Sequence, residues 1–484
     1  MKRFLCLFFG LALIFISACS QRENAEVELM DFIYDTTPVM GEAQRSARFT
    51  TEFSSEFTFD GSEITTSEGL TYGVSNGTVS EKGISSEGGL VIDFKGSLVT
   101  EFNRYRLYYV SDQALKCVVK YTVNGAVVED TVFLEAGTDI FTCLILGFLE
   151  NEKAVSLNEL VVNSCNGEPF NFLLCNVFTD EYGVPQSSDY IIEGERYKLG
   201  VRLIWGGGIN LIVDNYGDVD GIENLINQYD TGRLVQQSYY GSDEDSRYDN
   251  ATFTNDSSWP YNPVQGGDKY MNHSRLIDFV ETENSIYIKS QPQDWALDGM
   301  ITSSYMENIY TVYDVCIRVE NRFVDFTCWS HPAKDQELPA FYTVSYLDTF
   351  TYYNGMKPWM EDDLFVESDL EFWGDSQYAA DCRFKIADGN TETLCALYNR
   401  KDDYGIGIYV PNIDMFYAGR YGYDGSKDSD ASSTNYVAPL NFMQIVSFEP
   451  IEYEYLITTG SISNIRDVFT ANKDFTDNGS FKKH

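Results

Sequence analysis

Basic residues are scarce in this chain of 484 residues, which has 34 Lys and Arg against 74 Asp and Glu and a formal net charge of −40. A surface of this sign repels phosphate backbones and anionic headgroups, which argues against nucleic acid and anionic lipid surfaces as partners. Histidine is also rare, with three in the chain. The cysteines form no CxxC pair or Cys/His cluster with zinc spacing, so the sequence does not indicate a metal role for these thiols.

Sustained helical periodicity is nearly absent, and no long apolar run follows the first residues of the chain. Short runs rich in Val, Ile, Thr, Tyr and Phe recur instead between clusters of Gly, Asn and Asp. This pattern predicts an all-β fold, with an N-terminal β-sandwich followed by a large β-sandwich or supersandwich region. Because single cores stop growing near ~250–300 residues, the length predicts two or three domains.

The N-terminus has the pattern of an export signal. Lys2 and Arg3 precede an apolar run, Phe4 to Ile16, which is too short to span a bilayer. The run ends at Ile16-Ser17-Ala18-Cys19, which resembles the lipobox of bacterial lipoproteins. The resemblance implies removal of the signal peptide 1–18, acylation of Cys19 with fatty acids such as palmitate, and a polar tether over 19–27. An ordinary secretory signal cut near Ala18 is the alternative.

Lipidation would place the chain outside the cytoplasm, held by its lipid anchor to the bacterial cell membrane or the outer membrane. Cys6 leaves with the signal and Cys19 carries the lipid, so eight of the ten cysteines remain in an oxidising location. Around the turn Asp388-Gly389, a two-residue hairpin sets Cys382 opposite Cys395 at a non-hydrogen-bonded site. That register predicts a Cys382–Cys395 disulfide.

Turn residues locate further elements. Asn124-Gly125 joins two β-rich runs and predicts a hairpin of Lys116 to Val123 with Ala126 to Leu134. A second hairpin is predicted around Glu320-Asn321, and one short helix is predicted over Gly221 to Gln228.

All six Trp and both internal His lie between residues 205 and 373. We therefore divide the chain into an N-terminal β-sandwich (28–190), a central β region with the candidate site (191–365), a C-terminal β-sandwich part (366–469) and a flexible tail (470–484).

Three clusters in the central region combine Gly, amides, Arg and aromatic residues, and they run over 205–241, 259–267 and 329–342. Stacking surfaces and planar hydrogen-bonding groups together suit sugars, which have apolar faces and rows of hydroxyls. A single such residue is more often part of a core or a turn. The candidate ligand-binding residues are Arg233, Gln236, Tyr239, Trp259, Asn262, Gln265 and Trp329.

A Gly-rich segment at the start of a predicted strand is followed by Asn227, Asp230, Gly232, Arg233 and Gln236. This pattern resembles the galactose-mutarotase-like β-supersandwich proteins. The resemblance covers about 190–470. It implies a superfold shared by aldose epimerases, several polysaccharide lyases and parts of glycosidases. Epimerases of that group use a His and Glu pair. Here neither His273 nor His331 has a second His beside it, and fold alone does not fix function.

Three residues are the catalytic candidates for glycoside hydrolysis, which needs an acid and a second carboxylate. Glu337 is the first choice of acid, and aromatic neighbours are expected to raise its pKa. Asp230, with its pKa expected to be lowered by the Arg233 guanidinium, is the second carboxylate. His331 is the third candidate. A lyase would use Tyr239 or His331 as the base and Arg233 to hold a uronate.

The sequence therefore favours a membrane-anchored, carbohydrate-active protein whose partner is a glycan, with glycoside hydrolase as the leading function. A non-catalytic glycan-binding lipoprotein, a polysaccharide lyase and a structural envelope protein are the alternatives. No cofactor is expected. Asp214, Asp218 and Asp220 form an acidic turn that could bind calcium, although its spacing fails the EF-hand pattern.

Overall fold

The computed structural model of the chain describes residues 57–60, 63–66, 71–80, 83–95, 101–217, 219–242, 246–251, 259–360, 362–371, 382–422 and 424–475. The signal peptide 1–18, Cys19, the tether and residues 476–484 of the predicted tail lie outside this set. Among the described residues, no helix is long and apolar enough to cross a membrane. The regular secondary structure of the described part is almost entirely antiparallel β-strand, which confirms the all-β prediction.

The N-terminal strands form two antiparallel sheets. These strands are β1 (Phe57–Asp60), β2 (Glu63–Thr66), β3 (Thr71–Ser75), β4 (Thr78–Ser80), β5 (Gly83–Ser86), β6 (Leu90–Asp93), β7 (Arg104–Ser111), β8 (Leu115–Val123), β9 (Ala126–Leu134), β10 (Gly137–Leu144), β11 (Ala154–Ser164) and β12 (Phe170–Asp180). Sheet 1 has the order β1-β2-β3-β6-β11-β8-β9, and sheet 2 has the order β10-β7-β12-β5-β4. Apolar side chains from both sheets pack into one continuous core.

The remaining strands form two larger sheets. They are β13 (Asp189–Glu193), β14 (Tyr197–Arg202), β15 (Gly208–Asp214), β16 (Val235–Ser238), β17 (Pro263–Val264), β18 (Arg275–Glu281), β19 (Ser285–Gln291), β20 (Gln293–Asp294), β21 (Ser304–Val312), β22 (Ile317–Asp325), β23 (Lys334–Val344), β24 (Thr349–Tyr352), β25 (Phe365–Glu367), β26 (Arg383–Lys385), β27 (Leu394–Asn399), β28 (Tyr404–Tyr409), β29 (Met415–Tyr421), β30 (Thr434–Met443) and β31 (Ile451–Gly460).

Sheet 3 has the order β13-β14-β15-β16-β23-β30-β29-β26, with β17 and β20 attached through β16, and sheet 4 has the order β18-β19-β21-β22-β31-β28-β27-β24-β25. Strands from the predicted central and C-terminal segments are mixed in both sheets. For example, β23 pairs with β30 and β22 pairs with β31. The α-helix in the described part is α1 (Ile462–Asn472), which follows β31. Short 3₁₀ helices lie at Phe148–Glu150, Leu203–Trp205, Ser246–Asn250 and Lys473–Phe475.

The hairpin predicted at Asn124-Gly125 is confirmed. Val123 pairs with Ala126, and both turn residues have positive φ, 51° and 79°. That backbone is the type I′ turn, which suits the twist of the flanking strands and which Asn and Gly adopt at low cost.

The hairpin predicted at Glu320-Asn321 is wrong, because both residues lie within β22 and the turn precedes Ile317. Asn321 pairs in register with Asn308 of β21 and accepts a hydrogen bond from its Nδ2 at 2.6 Å. Both amides are buried. The polar residue that suggested a turn is therefore used for a cross-strand hydrogen bond inside the sheet.

The helix predicted over Gly221 to Gln228 is also wrong. The Asn224 side chain accepts from the backbone N–H groups of Ile212 and Ile226, and the Leu225 N–H donates to the Ile212 carbonyl. These bonds tie the segment to β15 as a loop. The helix α1 was not predicted, and Ser461 caps it by accepting from the Asn464 N–H.

The structure also corrects the predicted Cys382–Cys395 pair. The turn at Gly389 is present, with φ of 78°. Its two arms separate, however, because β26 pairs with β29 in sheet 3 while Cys395 of β27 pairs with Tyr352 and Ile408 in sheet 4. None of the eight cysteines in the described part is in a disulfide. The two-residue turn thus connects two sheets, so the register expected of a hairpin does not form.

A seam joins the N-terminal and C-terminal pairs of sheets, and it combines aromatic and charged contacts. Phe133 stacks on Phe326 with ring centroids 5.2 Å apart, and the Phe133 N–H donates to Tyr305 Oη at 2.7 Å. Arg322 reaches Glu135 across the seam at 2.6 Å. These contacts cover β9, the edge strand of sheet 1, and give the Phe133 N–H a partner outside that sheet.

Candidate functional site

An aromatic surface covers the outer side of sheet 3, where β16, β23, β30 and β29 lie side by side. Side chains alternate along a strand, so Phe341 and Val437 point into the core while Tyr342 and Tyr436 point outward. We define the tyrosine face as Glu337 with Tyr240, Tyr342, Tyr417, Tyr421 and Tyr436. The Tyr342 and Tyr436 rings lie 4.6 Å apart, and Tyr417 packs edge-on against Tyr436 at 6.1 Å.

Glu337 lies within this face and has hydroxyl partners. Tyr240 Oη donates to Glu337 Oε1 at 3.0 Å, and Tyr436 Oη donates to the same oxygen. Burial raises the pKa of Glu337, and the hydrogen bonds from Tyr436, Tyr240 and Ser238 only partly oppose this shift. The predicted direction of the shift is confirmed. A carboxyl in this setting can hold a proton at a higher pH than an exposed glutamate.

Asp230 and Arg233 lie at the same surface. Arg233 Nε is 3.3 Å from Asp230 Oδ2, and Arg233 Nη1 donates to the Ser432 carbonyl at 2.5 Å. The guanidinium lies over the rings of Tyr229 at 4.8 Å and Tyr421 at 5.2 Å. Such cation–π contacts fix the orientation of the charged group.

The prediction that Arg233 lowers the pKa of Asp230 is wrong in its net sign. Burial raises the pKa of Asp230 by more than Arg233 lowers it. Tyr342 links this pair to Glu337: burial raises the pKa of Tyr342, Glu337 and Asp230 raise it further, and Arg233 lowers it. The structure therefore brings Glu337, Asp230 and Arg233 around one tyrosine.

Trp259 and Asn262 meet the edge of this face. Trp259 packs edge-on against Tyr240 with centroids 6.1 Å apart, and its Nε1 donates to Asn262 Oδ1 at 3.1 Å. Asn262 is buried, and its Nδ2 donates to the Tyr239 carbonyl at 2.7 Å. Trp259 is thus a partly exposed ring on a loop that the hydrogen bonds of Asn262 hold in place.

Gln236, Tyr239 and Gln265 are buried, and their side chains bond to other groups within the fold. Gln236 Oε1 accepts from the Gly266 N–H at 2.7 Å, and Gln265 Nε2 donates to the Gly206 carbonyl at 2.9 Å. Tyr239 is fully buried and stacks on Phe323 at 4.1 Å. Since all three side chains satisfy internal partners, they serve packing and do not contribute to the tyrosine face.

His331 and Trp329 form another buried cluster. His331 Nδ1 accepts from the Ser242 N–H at 2.9 Å, so Nε2 carries the ring proton and faces Thr327 Oγ1 at 2.9 Å. The ring is fully buried and stacks on Tyr261 at 5.3 Å. Trp329 packs against both rings and is only partly exposed. His331 is therefore held as a structural group and is not brought to Glu337.

Sequence reasoning missed Tyr417, Tyr421 and Tyr436. They alternate along β29 and β30 in the runs Met415–Tyr421 and Thr434–Met443, so a period of two was the available signal. The strands that carry them are distant from Glu337 in sequence, and only the pairing of β30 with β23 places them beside it.

Among the described residues, no group of three or more His, Cys, Asp or Glu side chains is placed to hold a metal ion. In the acidic turn considered for calcium, Asp214 instead pairs with Arg196 at 3.2 Å, and Asp218 lies outside the described residues.

No family model and no curated protein matches this sequence. Solved structures that resemble part of this chain include a galactose mutarotase related enzyme from Lactobacillus acidophilus, with a TM-score of 0.36, 11% identity, and coverage of 56% of this chain and 97% of that one. A GH36 α-galactosidase from Geobacillus stearothermophilus has a TM-score of 0.34, 12% identity, and coverage of 59% and 42%. A 4-α-glucanotransferase from Thermococcus litoralis has a TM-score of 0.23, 9% identity, and coverage of 56% and 37%. At these scores the likeness carries no argument about activity.

Proposed function

We propose that this chain is an extracytoplasmic, membrane-anchored protein that acts on a glycan as a glycoside hydrolase, with Glu337 as the general acid. The observation that carries the proposal is the setting of Glu337, a desolvated carboxyl held by two tyrosine hydroxyls on a partly exposed aromatic surface. A general acid must keep its proton near the working pH, and a raised pKa provides that condition.

The surroundings of Glu337 suit a sugar ring. Tyrosine and tryptophan rings offer faces for the apolar C–H groups of a sugar, and their hydroxyl and N–H groups can bond its oxygens. Tyr342, Tyr421 and Trp259 are partly or largely exposed on this surface. Arg233, fixed over Tyr229 and Tyr421, adds a planar donor group beside them.

Asp230 is the proposed second carboxylate. As a nucleophile or base it must be ionised, and Arg233 favours that form, although burial acts in the opposite direction. Substrate that displaces the Asp230–Arg233 contact would free the carboxylate for the reaction. The separation of Asp230 from Glu337 would then govern retention or inversion, at about 5–5.5 Å or about 6.5–9.5 Å respectively.

A glycan-capturing protein without catalysis is the second candidate. Hydrolysis needs one ionised carboxylate, but the pKa of both Glu337 and Asp230 is raised, and Asp230 already contacts Arg233. These observations favour the glycan-capturing protein. The lyase alternative has less support, because its proposed bases Tyr239 and His331 are fully buried and bonded internally.

The test is a screen of plant, host and microbial glycans for both binding and cleavage. The Glu337→Gln variant should keep binding and lose turnover by about 10²–10⁴-fold, the usual contribution of a general acid. Glu193→Gln is the matched control, because Glu193 is an exposed carboxylate on the edge strand β13 and pairs with Lys198. Cleavage that survives in Glu337→Gln would remove Glu337 from the mechanism, while binding with no cleavage by any form would favour the capture protein.

Anchoring has its own test, since the proposed lipid site Cys19 is independent of the tyrosine face. We expect the Cys19→Ala variant to move from the membrane fraction to the soluble fraction, because the lipid would supply the attachment. Mass spectrometry of the N-terminal peptide identifies the acyl groups directly. Retention of Cys19→Ala in the membrane pellet would show that the attachment lies elsewhere.

A further inference from the structure

The eight cysteines of the described part differ in their access to solvent. Six are buried inside the sheets, namely Cys117, Cys143, Cys175, Cys316, Cys382 and Cys395. Cys328 is exposed and Cys165 is partly exposed. A thiol must be reachable to exchange with an external disulfide, so these two are the candidates for redox chemistry within the described residues.

Cys165 lies at the seam, on the outer face of sheet 1. Its N–H donates to the Ala114 carbonyl at 2.9 Å, which continues the ladder of β11 and β8 beyond Ser164. Alternation places Cys165 on the same face as Asn163, whose partner across the ladder is Lys116. Lys116 in turn pairs with Phe133 of β9. Cys165 and Phe133 therefore share the face of sheet 1 that meets the C-terminal sheets.

Cys328 approaches this face from the opposite side. It follows Phe326, the residue that stacks on Phe133 at 5.2 Å. The backbone of Cys328 has a φ of 63°, and its N–H donates to Ser447 Oγ at 3.0 Å, so the chain turns at this position and is held there. A non-glycine residue in the left-handed region is unusual and is kept only where neighbouring contacts impose it.

The electrostatics agree with this placement. The pKa of Cys165 is raised to about 12, chiefly by burial; Cys328 and Asp325 also raise this pKa, and Lys116 lowers it. The groups that act on the Cys165 thiol thus come from both sides of the seam. Cys117 is also near Cys165, but it lies in the interior and pairs with Val162, three residues back along β11.

We propose that Cys165 and Cys328 form a disulfide that ties the N-terminal pair of sheets to the C-terminal pair. The oxidant is an external disulfide, either that of a thiol–disulfide oxidoreductase or a small-molecule disulfide such as oxidised glutathione. The Cys328 thiolate attacks one glutathione sulfur and releases one glutathione thiolate. The Cys165 thiolate then attacks Cys328 Sγ and releases the second. The two protein thiols lose two electrons and two protons, which the two glutathiones receive.

Linkage should be slow at neutral pH and faster as the pH rises, because the thiolate is the attacking form and both thiols have a raised pKa. The reaction requires neither a glycan nor a lipid, so its outcome is independent of the function proposed above.

The experiment treats the purified, folded protein with oxidised glutathione, quenches with acid, alkylates the remaining thiols and maps peptides without reduction. We expect a linked peptide pair containing Cys165 and Cys328, with the six buried cysteines alkylated only after denaturation. In Cys165→Ser, the expected product is Cys328 with glutathione attached, and Cys328→Ser should give no linked pair.

Two results would overturn the proposal. One is separate modification of Cys165 and Cys328 in the unaltered protein, with no peptide joining them. The other is a link from Cys165 to Cys117. Circular dichroism of each Ser variant confirms that it is folded, and the central measurement uses the unaltered chain.

Discussion

Glu307 and Glu337 are two glutamates of the C-terminal sheets, the first buried and the second partly exposed, and desolvation pushes the pKa of each upward. At Glu307, Lys289 and Arg322 outweigh burial, so its pKa lies below the ordinary value. At Glu337 the hydrogen-bond partners are hydroxyl groups, and its pKa stays raised. The comparison shows that the partners decide the charge of a buried carboxyl. At the seam, cations keep Glu307 ionised in an ion pair. On the outer face, tyrosine hydroxyls leave Glu337 able to carry a proton.

The largest effect should come from breaking the seam. Arg322 is nearly fully buried and contacts Glu307 at 2.5 Å and Glu135 at 2.6 Å. Replacing it with Met removes the cation beside Glu135 and Glu452 and leaves Glu307 with Lys289 alone, so we expect a loss of about 3–5 kcal/mol in the free energy of unfolding. Urea denaturation measures this loss.

Arg383→Met is the control for that prediction. Arg383 forms an ion pair with Asp335 at 2.6 Å, but 42% of its side chain is exposed, so the pair should contribute only about 0–1 kcal/mol. Similar losses in both variants would show that the seam is hydrated and that Arg322 is no more important than a surface arginine.

The second prediction concerns pH and sharpens the contrast between the two carboxyls. Because the native pKa of Glu337 is raised, the folded state holds its proton where the unfolded chain, with a pKa near ~4.3, has lost it. The unaltered protein should therefore lose stability relative to Glu337→Gln as the pH rises from about 4.3 to the native pKa. Glu307 should do the opposite, since its stabilising contribution is present above ~4.3 and is lost as the pH falls through its lowered native pKa.

Urea midpoints of the unaltered protein, Glu307→Gln and Glu337→Gln across this pH range test both signs. At neutral pH we expect Glu307→Gln to cost about 1.5–3 kcal/mol, because the charge-assisted hydrogen bond from Arg322 and the ion pair with Lys289 are lost. Parallel pH profiles for the two variants would contradict the assignment of opposite shifts.

The smallest effect should follow removal of one hydroxyl from Glu337. Tyr436→Phe loses a hydrogen bond that favours the charged carboxylate, so the pKa of Glu337 should rise further and the stability should fall by about 1 kcal/mol. Tyr417→Phe is the matched control, because Tyr417 packs against Tyr436 in the same face while Tyr240 and Tyr436 are the tyrosines bonded to Glu337. Carboxyl titration by NMR, with Glu337→Gln to assign the signal, measures the shift. An unchanged Glu337 pKa in Tyr436→Phe would show that the Tyr436 hydrogen bond does not influence the pKa of Glu337.

Local rules worked where a few adjacent residues decided the structure. Asn124-Gly125 predicted its hairpin because a type I′ turn requires positive φ at two successive positions, which these residues supply. The same reasoning failed at Cys382 and Cys395, because the turn between them passes from sheet 3 to sheet 4. It failed again at Asn321, whose side-chain oxygen accepts a hydrogen bond from Asn308 on the neighbouring strand.

The candidate site was predicted in part. Glu337, Asp230 and Arg233 were chosen for their chemistry, and the structure places all three around Tyr342. Gln265 and His331 were chosen for the same reason, yet their polar atoms are used within the fold. A polar residue type does not reveal whether its partner will be a ligand or a backbone group, since both need the same donors and acceptors.

By itself the sequence determined the all-β class, through short alternating runs and turn residues that act over a few positions, and it nominated Glu337 as an acid. Only the tertiary structure decided what surrounds that acid. Tyr240 lies just after β16 and Tyr436 lies on β30, far apart in the chain, and their meeting at Glu337 Oε1 depends on the pairing of β23 with β16 and β30. The pKa of a carboxyl depends on burial and on its nearest partners, and both are set by which strands become neighbours.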